Sequence, residues 1–67
     1  MLHYSISIQY DAIDDIFVAS VPELEGCMAH GKTRNQAMEE IIIAMKLWIK
    51  VAEEHGDIIP EPMIYAS

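Results

Sequence analysis

Val21-Pro22-Glu23-Leu24-Glu25-Gly26-Cys27, followed by Gly31-Lys32-Thr33 and an alanine-bearing run from Ala37 onward, decides how this chain folds. Within about twenty residues it reads as the end of a strand, a tight turn, a second strand, a loop and a helix start. Pro22 fixes its own φ and lacks an amide donor, while Gly26 can take the positive φ that a turn before Cys27 requires. Thr33 with Gln36 three residues later forms a capping box, in which the threonine oxygen accepts from the Gln36 amide and the glutamine side chain reaches back. The helix therefore starts near Arg34.

On the N-terminal side, Leu2, Tyr4, Ile6, Ile8 and Tyr10 alternate with His3, Ser5, Ser7 and Gln9. That period of two predicts a strand with one buried face, on which Tyr4 and Tyr10 are core residues. Asp11 to Asp15 form a polar connection, and Ile16 to Val21 has the β-branched and aromatic density of a second strand, joined to the first as a hairpin. Cys27 to His30 supplies a short third strand that ends at Gly31.

On the C-terminal side nothing breaks the helix between Arg34 and about His55, roughly 30 Å of it, and Gly56 stands where a left-handed cap is wanted. Pro60 and Pro62 then remove two ladder donors, so Met63-Ile64-Tyr65 is at most an edge strand. The expected fold is α+β: a small antiparallel β-β-β-α-β domain over residues 1–67, with one long helix packed on one face of the sheet.

At about 100° per residue, Ala37, Met38, Ile41, Ala44, Met45, Trp48, Ile49 and Ala52 fall in one broad arc of the helix, its core face. Arg34, Asn35, Glu39, Lys46, Lys50, Glu53 and Glu54 hold the opposite side, yet Ile43 and Leu47 fall among them, four apart and in contact. Burying each would contribute roughly 1.5 to 3 kcal/mol, so they are candidates for an oligomer interface. Size points the same way. A chain of 67 residues buries only about 60% of the surface its unfolded form exposes and calls for extra stabilisation. Cys27 has no partner cysteine, which excludes an internal disulfide and fits a reducing cytoplasm. No basic leader precedes an apolar stretch, and the longest apolar run, Ile41 to Met45, is far short of a membrane span.

Eleven acids against four bases give a formal net charge of −7. That balance argues against direct nucleic-acid binding, which needs lysine and arginine to release counterions, and favours a basic partner. Asp11, Asp14, Asp15, Glu23 and Glu25 are read as an acidic rim at the sheet edge, the candidate partner-binding residues. Cys27 and His30 have C-x-x-H spacing, but on a strand they point to opposite faces, so neither a metal site nor a catalytic pair is expected. The three aspartates crowd one hairpin tip instead of converging from separate strands, which speaks against a carboxylate metal site. Ser5 and Ser7 have no base at a legible spacing, and there is no glycine-rich phosphate loop. No catalytic, metal or cofactor residue is assigned, and the chain is expected not to be an enzyme.

The run VPELEGCMAHGKTRNQAMEEIIIAMKLWI, with its proline-acid-leucine-x-glycine turn, glycine-x-threonine and helix, resembles the HicB family of antitoxins, and Ile59-Pro60-Glu61-Pro62 is similar to the end of that family's N-terminal domain. The chain departs from the pattern at Asn35-Gln36, where acids are common, and nothing follows Ser67 where many members continue into a DNA-binding domain. The resemblance implies a partial RNase-H-like domain in a stand-alone short member. It would be a cytoplasmic antitoxin module of a toxin-antitoxin system that sterically neutralises a small basic HicA-like mRNA-cleaving toxin. The alternative is a solitary homo-oligomeric scaffold or ligand-sensing domain without a toxin partner.

Overall fold

The structure is a computed structural model that describes residues 3–64. Three strands, β1 (Ser7–Asp11), β2 (Ile16–Ser20) and β3 (Met28–Gly31), precede one helix, α1 (Arg34–Glu54). The strands form a three-stranded antiparallel sheet in the order β1-β2-β3. The α+β expectation and the long helix on one sheet face are borne out. The closing edge strand is not: residues 57–64 carry no strand, and Tyr65 lies outside the described residues. The Met63 amide donates to the Glu23 carboxylate and not to a strand ladder, as two nearby prolines would lead one to expect.

Two successive turns build the segment between β2 and β3. Leu24 N–H donates to Val21 C=O at 3.0 Å, Cys27 N–H to Leu24 C=O at 3.0 Å, and Val21 N–H closes the loop on Cys27 C=O at 3.1 Å. Gly26 takes φ +78°, as the turn before Cys27 requires. The double turn folds Leu24 inward until it is 1% exposed, beside Val21 and Cys27 in the core.

Helix α1 begins and ends as its caps dictate. Thr33 Oγ1 accepts from Gln36 N–H at 3.0 Å, but the Gln36 side-chain Oε1 reaches past Thr33 to accept from the Lys32 N–H at 2.6 Å. At the other end Gly56, at φ +70°, and Asp57 donate to Glu53 and Ala52 carbonyls at 3.2 and 2.9 Å, the paired bonds of a Schellman cap.

The helix packs mainly on β3, less on β2 and least on β1. Gly31 permits this: a Cβ there would stand 2.6 Å from Ala37 N and 2.8 Å from the Gln36 carbonyl carbon. Ala19, Val21, Leu24, Cys27, Ala37, Ile41 and Met45 form the core, with Ile6, Ile8, Phe17, Trp48 and Ile49 packed around it. The lopsided placement uncovers the far end of β1. Tyr10, expected in the core, is 54% exposed and packs its ring against that of Phe17, centroids 5.5 Å apart and planes tilted by 57°. Arg34 caps Phe17 from the helix start, 4.9 Å above the ring. No helix among the described residues is long and apolar enough to cross a membrane.

Candidate functional site

The acidic residues do not form one rim. Asp11 ends β1, and its Oδ1 accepts from the amides of Ile13 (2.9 Å) and Asp14 (3.3 Å), so it builds the hairpin turn. Asp15 sits at φ +53° and accepts from the Tyr10 hydroxyl at 2.7 Å. That bond first, then burial and the charge of Asp11, raises the Tyr10 phenol above its ordinary pKa. Asp14 is exposed. Glu23 and Glu25 lie in the turn beyond the other end of β2, a five-residue strand away, or roughly 16 Å at about 3.3 Å per residue.

Glu23 is engaged inside the molecule. Its carboxylate accepts from Ser5 N–H (3.1 and 3.0 Å), Ser5 Oγ (3.0 Å) and Met63 N–H (2.9 Å). Burial pushes this carboxyl upward, but the amides of Met63 and Ser5, its own amide and the Ser5 hydroxyl outweigh that and hold it below the ordinary carboxylate value. Beside it the Tyr4 hydroxyl donates to the Pro60 carbonyl, so the segments before β1 and after α1 meet over Glu23. Glu25 contributes its backbone, whose carbonyl accepts from Trp48 Nε1 at 3.0 Å. Sequence reasoning placed both glutamates on the surface; the clamp on Ser5 and Met63 leaves no local pattern and was missed.

Cys27 is 4% exposed, and burial pushes its thiol up. His30 is exposed. Among the described residues no three His, Cys, Asp or Glu side chains converge as metal ligands.

The apolar surface is on the opposite edge. Ile43 is 60% and Leu47 59% exposed, with Val51 one further turn along at 42% and Met28 on β3 at 60%. Ile43 and Leu47 overhang the free edge of β3, where a hollow of about 720 Å³ is lined by Met28, Ala29, His30, Lys32, Glu40 and Ala44. A second hollow of about 430 Å³, bounded by Met28, Ala44, Leu47, Trp48 and Val51, continues it along the helix.

The family model described as UPF0150-like matches residues 7–60, from β1 through the helix and into the segment after it. The chain belongs to the UPF0150-like family. A UPF0150 protein of Synechocystis sp. is 37% identical over 59 residues, covering 88% of this chain and 80% of that protein. A UPF0150 protein of Thermoplasma acidophilum is 34% identical over 59 residues, covering 88% and 84%. No solved structure matches.

This assignment corrects the resemblance to HicB. The antitoxin reading, the toxin-antitoxin system, the HicA-like toxin partner and the partial RNase-H-like label fall with it. The physical reason lies in the motif. Pro22, Gly26, Gly31 and Thr33 answer local demands for a tight turn, a positive φ, a close helix approach and an N-cap. Those demands recur wherever a short hairpin feeds a long helix, so the motif specifies a backbone path and not a partner.

Proposed function

We propose that this UPF0150-like chain is a non-catalytic homo-oligomeric scaffold domain, assembled through the helix face that carries Ile43 and Leu47. One observation supports it above the others: two large aliphatics, 60% and 59% exposed and one turn apart, overhang the unpaired edge of β3. Scattered exposed apolar residues are ordinary on a protein surface, whereas a continuous strip beside a free sheet edge is a pattern of interaction sites.

Energetics support the same reading. Removing the exposed parts of Ile43, Leu47 and Val51 from water contributes roughly 1 kcal/mol per side chain. In a symmetric pair each residue counts on both copies, giving about 6 kcal/mol, within the range of about 4 to 15 kcal/mol that association costs. The strip is therefore sufficient to drive assembly only if further contacts join it. The buried Cys27 thiol, in a chain with one cysteine, agrees with a reducing compartment such as the cytoplasm.

The test is the solution mass of the pure protein beside that of an Ile43→Asp, Leu47→Asp double variant. Both side chains are exposed, so the variant retains its fold. A multimer that becomes a monomer supports the reading, and a wild-type monomer refutes it.

A further inference from the structure

We infer that the partner at this face is a second copy whose β3 strand pairs antiparallel with β3 about a two-fold axis at Ala29, joining the two sheets into one. The inference rests on the self-assembly reading above and adds its register.

The register follows from which backbone groups are free. Val21 N–H bonds Cys27 C=O, and the β2–β3 pairing sets Ala19 opposite Ala29 and Phe17 opposite Gly31. Hydrogen-bonded pairs alternate along an antiparallel ladder, so Cys27, Ala29 and Gly31 direct their backbone groups toward β2. Met28, His30 and Lys32 direct theirs off the free edge. The Lys32 N–H is already taken by Gln36 Oε1 at 2.6 Å, which closes that edge at its C-terminal end. Among the described residues, Met28 and His30 are left, each with one donor and one acceptor.

Two such edges fit each other in one symmetric way. Met28 of one copy exchanges both bonds with His30 of the other, and the reverse, while the two Ala29 residues face each other as the non-hydrogen-bonded pair at the centre. The Ala29 side chain is on the helix side, within the hollow that Ile43 and Leu47 overhang. Pairing the edges thus brings the two apolar strips together over the joined sheet. Pairing also satisfies the donors and acceptors of the exposed edge, the further contact that the helix strip by itself requires.

Edge pairing is tested by an Ala29→Cys variant in a Cys27→Ala background, exposed to oxidised glutathione. Central non-hydrogen-bonded Cα atoms are about 4.5 Å apart, within the range that a disulfide spans, so a covalently linked dimer is expected on denaturing gels. His30→Pro is the second variant: it removes an outward N–H without touching the bonds to β2 and is expected to convert the assembly to monomer. If the wild type is a multimer that Ile43→Asp, Leu47→Asp dissolves, but Ala29→Cys does not cross-link and His30→Pro leaves the mass unchanged, the strand pairing is wrong and the helix-face assembly stands. A monomeric wild type overturns both, and would leave the edge to a strand from a different protein.

Discussion

The Glu23 carboxylate and the Met63 N–H, forty residues apart in sequence, meet at 2.9 Å, and the same carboxylate accepts from Ser5. One side chain in the β2–β3 turn therefore ties the segment before β1 to the segment after α1. Glu23→Gln keeps the shape but gives up the charge-assisted bonds. Faster proteolytic cleavage around residues 58–64, with an unchanged helix signal by circular dichroism, is the expected outcome.

The same contact sets a pH dependence. The folded-state pKa of Glu23 lies below its unfolded value, so its stabilisation is fully present above the unfolded pKa and is lost as pH falls through the folded one. Melting temperatures taken from about pH 6 down to about pH 3 should fall more steeply in the wild type than in Glu23→Gln. Parallel curves would show that Glu23 contributes nothing to the acid limb.

Gly31→Ala tests the close approach of β3 to the helix start. The added Cβ meets backbone at 2.6 and 2.8 Å, and backbone cannot rotate away as a side chain can. A loss of about 1 to 3 kcal/mol is expected. For a domain of this size it would appear as a fall in melting temperature of roughly 4 to 8 °C per kcal/mol.

Leu24→Ala empties the plug that the double turn places in the core. At 1% exposure, its truncation should cost about 2 to 5 kcal/mol, read from the midpoint of denaturant unfolding. A change of a few tenths would mean that the turn refills the space.

Much of this architecture was legible because it is encoded by residues with few conformational options. Pro22, Gly26, Thr33 and Gly56 each announce a turn or a cap, and the helix bounds read from them fall within a residue or so of Arg34–Glu54. What escaped depends on how elements lean on each other. Tyr10 alternates correctly but lies on the strand farthest from the helix, so its pattern promised burial that the packing withholds. Leu24 sits among acids and shows no periodicity, yet it is among the most buried side chains. The acids read as one rim fall in two clusters separated by the length of β2, a distance their sequence spacing does not announce. Ile43 and Leu47 were legible as misfits on a polar helix face, and the structure adds the free β3 edge beneath them.

The central claim is self-assembly through that face, and the solution mass measured by light scattering at micromolar concentration tests it most directly. The account predicts a multiple of the 7.6 kDa chain mass for the wild type and a single chain for the Ile43→Asp, Leu47→Asp variant. A wild type that runs as one folded chain, or a variant whose mass does not change, would contradict it.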